Sequence, residues 1–90
     1  MKLFRKKTKP SQNAFAVVTG AGSGIGRNFA LELAKRGGMV VCADINLEAA
    51  EETVALITAS GAQAFAVKCD VGNARQVEQL AHQAEQLMQH

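Results

Sequence analysis

Ninety residues hold at most one small domain or a piece of a larger one, and a domain of that size hides only about 60–65% of its unfolded surface. The hydrophobic share of 48% allows a core, yet no apolar run approaches the ~20 residues of a membrane span. The net charge of +2 conceals a basic start (Lys2, Arg5, Lys6, Lys7, Lys9) and an acidic remainder, which lacks the basic, aromatic-laced surface of a nucleic-acid binder.

Residues 1–13 read as a basic, solvated and disordered tail, with weak attraction to an anionic membrane or partner as the alternative. The tail has no apolar h-region and so is not a secretory signal, and a transit peptide finds little support in it. Phe15-Ala16-Val17-Val18 is apolar on consecutive positions, as in a parallel strand covered on both faces. From Ile25 the period turns helical: Ile25, Phe29 and Leu33 share a face with Ala30 and Ala34, and Gly37-Gly38 ends the helix. Met39 to Ala43 is a second buried strand. Asn46 is placed to cap a helix carrying Leu47, Ala50, Val54 and Ile57 on one stripe. Gly61 closes that helix, and Ala62 to Lys68 is a third strand centred on Phe65 and Val67. Asn73 and Gln76 have capping-box spacing before a last helix, whose stripe is Val77, Leu80, Ala81, Ala84 and Leu87.

The order β-α-β-α-β-α predicts an α/β fold with three parallel strands. Right-handed crossovers put the first two helices on one face of the sheet and the third on the other. Cys42 and Cys69 fall in or beside strands without CxxC spacing, as core residues of a reducing compartment do. His82 and His90 have no second ligand at metal spacing and read as solvated.

The stretch Val17-Val-Thr-Gly-Ala-Gly-Ser-Gly-Ile-Gly26 joins the first strand to the first helix. A helix N-terminus offers unpaired N–H groups and the positive end of a dipole, a seat for phosphate. Glycines let a pyrophosphate approach the backbone and let the helix pack on the strand. The P-loop spacing GxxxxGK[ST] fails from either Gly20 or Gly22, and GxGxxG fails from the same starts; TGxxxGxG, from Thr19 to Gly26, fits. An AdoMet-methyltransferase loop would usually follow an acidic residue near the strand end, where Val17, Val18 and Thr19 stand. Asp44 ends the second strand, near the ~20-residue offset at which an acid meets the adenosine ribose. A carboxylate there accepts from the 2′- and 3′-hydroxyls of NAD and repels the 2′-phosphate of NADP. Two unit charges 4 Å apart at an effective dielectric of 20 repel by about 4 kcal/mol. No Lys or Arg stands at Ser23, Ile45 or Asn46 to receive that phosphate, so NAD is the expected cofactor.

These residues resemble the start of a short-chain dehydrogenase/reductase. TGAGSGIGR (Thr19 to Arg27) is very similar to that family's cofactor loop, Asp44 to its ribose-binding acid, and Cys69-Asp70-Val71 to the segment after its third strand. The resemblance covers about residues 14 to 88 and implies the first half of an NAD-binding Rossmann domain. It implies that Thr19, Gly20, Ser23, Gly24, Ile25 and Gly26 surround the pyrophosphate and ribose, and that Asp44 and Ile45 flank the adenosine. Asp70 would meet the adenine amino group and Val71 would line its pocket. The family's hydride transfer uses a Tyr-xxx-Lys pair helped by a Ser beyond the third strand. This chain has no tyrosine, and its serines are Ser11, Ser23 and Ser60. The general acid is therefore absent, and by that mechanism the chain does not turn over alone.

The chain thus reads as the NAD-binding part of a cytoplasmic oxidoreductase acting on an alcohol or ketone, truncated before the fourth strand. The rival is a non-catalytic protein that binds NAD weakly or pairs with a partner. Complete family members usually form homo-oligomers, through helices that this chain lacks. One edge of the first strand is expected to stand unpaired.

Overall fold

The computed structural model describes residues 3–6 and 15–88. Its elements in chain order are β1 (Leu3–Lys6), β2 (Phe15–Thr19), α1 (Gly24–Lys35), β3 (Met39–Asp44), α2 (Leu47–Ala59), β4 (Ala64–Lys68) and α3 (Ala74–Met88). The sheet order is β1-β2-β3-β4. The three strands read from the apolar runs pair in parallel, with Val17 opposite Val41 and Val41 opposite Phe65.

Strand periodicity divides the core in two, because successive side chains leave opposite faces of the sheet. Ala16, Val18, Val40, Cys42 and Ala64 pack under α1 and α2 with Ala30, Leu33, Ala34, Ala50 and Ile57. Phe15, Val17, Val41 and Ala43 face the other way, against Cys69 and the α3 residues Leu80 and Ala84. The expected split of helices, two on one face and one on the other, is what this division requires. The alternation ends at an edge strand: Phe65 and Val67 are only half-buried.

Three apolar assignments are corrected. Ile25 and Leu47 begin their helices at the carboxyl ends of the strands, beyond the sheet they would cover, and both are exposed. Ala81 is exposed as well, so the buried stripe of α3 is narrower than its sequence pattern. Thr53 takes the buried place on α2 that periodicity offers beside Ala50 and Ile57. The caps follow the sequence more closely: Asn46 Oδ1 accepts from the Ala49 amide at 3.2 Å, and Asn73 Oδ1 from the Gln76 amide at 3.2 Å. Gln76 does not complete a capping box. Its Oε1 accepts from the Asp70 amide at 2.8 Å, tying α3 to the loop after β4.

The reading of residues 1–13 as disordered fails at Leu3–Lys6. This segment forms β1, antiparallel to β2, with Leu3 opposite Val18 and Lys6 opposite Phe15. The edge of β2 expected to stand unpaired is therefore occupied. A bare row of strand N–H and C=O groups is a template for pairing, and the segment's two basic residues, Arg5 and Lys6, do not prevent its backbone from filling that row. The rest of the tail, and His90, lie outside the described residues.

Both cysteines are buried and free. Burial pushes the Cys42 thiol up to about 11 from an ordinary value of 9.0. The folded chain therefore holds Cys42 neutral while the unfolded chain ionises it first. Its contribution to stability is complete below pH 9 and lost as pH rises toward 11. Denaturant titrations across that window should show the wild type losing on the order of 2 kcal/mol relative to Cys42→Ala. Removing residues 1–6 uncovers the β2 edge, and size-exclusion chromatography should then show concentration-dependent self-association.

Candidate dinucleotide-binding site

Parallel strands deliver their carboxyl ends to one side of the sheet, and there the loops after β2, β3 and β4 meet. The Ala21 amide donates to the Ala43 carbonyl at 3.1 Å, and the Cys69 amide to the Asp44 carbonyl at 3.0 Å. These bonds continue the sheet's cross-strand pairing beyond Thr19 and Lys68, where β2 and β4 end. They bring Thr19–Gly26, Asp44–Ile45 and Asp70–Val71 to neighbouring positions along one edge.

The first loop is as tight as its composition allows. A Cβ on Gly26 would collide with the Gly20 carbonyl, so α1 starts directly against the end of β2. A Cβ on Gly22 would lie 2.6 Å from the Ala49 methyl and 2.8 Å from Asp44 Oδ2. Gly24 is different. Its φ of +56° is the left-handed region, and a Cβ there would meet nothing within 4 Å. Two of these glycines are thus explained by internal packing and one by backbone conformation beside open space.

Ser23 caps α1 by its extended backbone (φ −162°) and makes no side-chain cap bond. The Arg27 amide reaches the Ser23 carbonyl at 3.3 Å. The amides of Gly24, Ile25 and Gly26 have no acceptor within the helix, and no acidic side chain sits in that first turn. The end of the helix is therefore electropositive, and it is exposed at Ser23, Gly24 and Ile25 while Gly26 is buried. An anion there gains roughly 0.3–1 kcal/mol from the dipole, and more where partly buried.

Asp44 stands at the end of β3, half-buried, with both oxygens engaged. Oδ2 accepts from the Gly22 amide at 2.8 Å and Oδ1 from the Asn46 amide at 2.9 Å. Each carboxylate oxygen keeps a second lone pair for a hydroxyl donor. Asp70 is held in a similar way, its Oδ1 accepting from the Gly72 amide at 2.9 Å. Around these polar groups lie Ile25, Ile45 and Val71, exposed by 78%, 61% and 52%. These large apolar side chains stand in solvent and take no part in the core. Thr19, by contrast, is buried at the end of β2.

Sequence reasoning missed the support behind the loop. In the sequence Arg27 stands out only as the last residue of the glycine motif, and Thr53 does not stand out. Arg27 Nε donates to Thr53 Oγ1 at 2.9 Å, and its Nη2 to the Gly22 carbonyl at 2.6 Å and to Glu52 Oε2 at 3.2 Å. The Thr53 hydroxyl meets the Ala21 carbonyl at 2.7 Å. The available signal was a lone polar residue in the apolar stripe of α2, a residue that must find partners when buried.

Among the described residues no His/Cys/Asp/Glu group could hold a metal ion, and no helix is long and apolar enough to cross a membrane. The sequence profile described as short chain dehydrogenase matches residues 14–90. The 7alpha-hydroxysteroid dehydrogenase of Escherichia coli K12 is 44% identical over 66 residues, 73% of this chain and 26% of that protein. The cyclohexanol dehydrogenase of Acinetobacter sp. strain SE19 is 53% identical over 58 residues, 64% of this chain and 23% of that protein. Among solved structures, a short chain dehydrogenase/reductase from Burkholderia phymatum in complex with NAD superposes with a TM-score of 0.73. It is 46% identical, over 76% of this chain and 24% of that one. The chain thus spans 23–26% of the length of these relatives. With a profile match from residue 14 onward and solved relatives that share the path of its backbone, the chain belongs to the short chain dehydrogenase family.

Proposed function

We propose that this chain is the nicotinamide-dinucleotide-binding portion of an oxidoreductase interconverting an alcohol and a ketone, and that it prefers NAD to NADP. The observation that carries the reading is the pairing of an exposed helix N-terminus at Gly24 and Ile25 with a fixed carboxylate at Asp44, which the Gly22 amide ties to the loop. Thr19, Gly20, Ser23, Gly24, Ile25 and Gly26 would hold the pyrophosphate side of the cofactor. Asp44 and Ile45 would take the adenosine ribose, and Asp70 and Val71 the adenine. The relative from Burkholderia phymatum, solved with NAD, supports the cofactor class.

The bound cofactor would supply hydride chemistry at its nicotinamide. This chain's residues do the binding. The loop amides and the α1 dipole hold the anion, Asp44 accepts from ribose hydroxyls, and Ile25, Ile45 and Val71 shield the site from water. Asp44 also sets the preference. A 2′-phosphate beside it would be repelled, and the neighbouring Ile45 and Asn46 offer no cation to offset that. The tyrosine of the family's reaction is not in this sequence, so the proton transfer to substrate oxygen belongs to residues other than these. We place the protein in the cytoplasm on the strength of its two free, buried thiols.

Calorimetric titration of the 90-residue chain tests the proposal. NAD+ should bind saturably and NADP+ at least about tenfold more weakly. Asp44→Ala should weaken NAD+ binding and narrow the gap between the two cofactors. A folded wild-type chain that binds neither dinucleotide would overturn the assignment.

A further inference from the structure

We infer that Arg27 and Thr53 are positioning residues that hold the glycine loop from behind and thereby aim its amides at the pyrophosphate; this rests on the dinucleotide-binding reading given above. Thr53 is fully buried on α2 and lies in a different element from the loop it supports. A hydroxyl has one proton to give. Thr53 Oγ1 is 2.7 Å from the Ala21 carbonyl and 3.3 Å from the Ala49 carbonyl of its own helix, so the proton goes to Ala21. The Arg27 Nε–H occupies the acceptor side of the same oxygen at 2.9 Å and fixes that direction. The same guanidinium reaches the Gly22 carbonyl at 2.6 Å and the Ala49 carbonyl at 3.4 Å.

The consequence lies in which groups of the loop remain free. At Ala21 the amide is held by the Ala43 carbonyl and the carbonyl by Thr53. At Gly22 the amide is held by Asp44 and the carbonyl by Arg27. The peptide unit joining Ala21 to Gly22 is thus held at both ends, by Thr53 and Asp44, and the units on either side of it at one end each, with the Ala21 and Gly22 carbonyls drawn toward α2. A carbonyl that rotated outward would present its negative end to an arriving anion. Holding the Gly22 carbonyl inward turns the Ser23 amide of the same peptide unit the other way, so that it and the exposed helix-start amides of Gly24 and Ile25 are the groups an anion meets. The Arg27–Glu52 ion pair at 3.2 Å is exposed on the glutamate side and contributes little of its own. What matters is the pair of neutral carbonyls that Arg27 and Thr53 capture.

The test separates pyrophosphate positioning from simple structural support. NAD+, ADP-ribose and adenosine are titrated by chemical-shift perturbation into the wild type, Thr53→Val, Thr53→Ser and Arg27→Met. The temperature is one at which circular dichroism shows all four folded. Thr53→Val keeps the shape and removes the hydroxyl. It should weaken NAD+ and ADP-ribose about tenfold and leave adenosine binding unchanged, and Arg27→Met should do the same. Thr53→Ser, which keeps the hydroxyl, should restore wild-type affinity. Unaltered ADP-ribose affinity in Thr53→Val, or an equal loss for adenosine, would overturn the positioning role while leaving the cofactor site in place. A folded wild type that binds none of the three would remove the cofactor reading itself, and this inference with it.

Discussion

The closeness of α1 to the end of β2 is the constraint on which the site depends. Gly26 lies so near the Gly20 carbonyl that no other residue could stand there without parting helix from strand. That contact sets where the amide-bearing end of the helix points. It sets how far Gly22 is from Asp44, and it places the first turn of α1 within reach of α2. A methyl group at position 26 would shift all of these together, because close-packed elements transmit displacement rather than absorb it.

The strands and their order were legible because a parallel sheet covered on both faces needs uninterrupted apolar runs, and Phe15–Val18 and Met39–Ala43 are such runs. Asp44 was legible because strand ends are easy to count from. Periodicity misled at the helix starts. Ile25 continues the apolar stripe of α1 by spacing, but spacing does not tell that the first turn lies beyond the sheet it would cover. The Arg27–Thr53 support could not be read at all, since it joins two helices across 26 positions and leaves only one polar residue out of pattern. Charge hid β1, whose pairing is a property of backbone groups rather than side chains.

Asp44 has two duties that cannot be altered separately. Its carboxylate is the proposed reader of the ribose, and it is also the acceptor for the amides of Gly22 and Asn46. Replacing the acid to admit a 2′-phosphate would remove the repulsion but leave two amides without their partner. Such a loss generally costs more than the bond itself contributes. Changing cofactor preference at this position therefore needs a residue that still accepts hydrogen bonds, such as Ser or Asn. The carboxylate proposed to choose the cofactor is also one that holds the loop.

The antiparallel strand at the sheet's margin has a topological consequence. In doubly wound folds the sheet grows outward from its first parallel strand on the side away from the second, through a crossover that follows the third. Here that side of β2 is held by Leu3–Lys6. One row of peptide groups can bond one neighbour at a time, so β1 and any further parallel strand beside β2 exclude each other. Growth of the sheet in that direction, within one polypeptide or from another, would be an exchange of strands rather than an addition. Its rate would be limited by how fast four residues peel away.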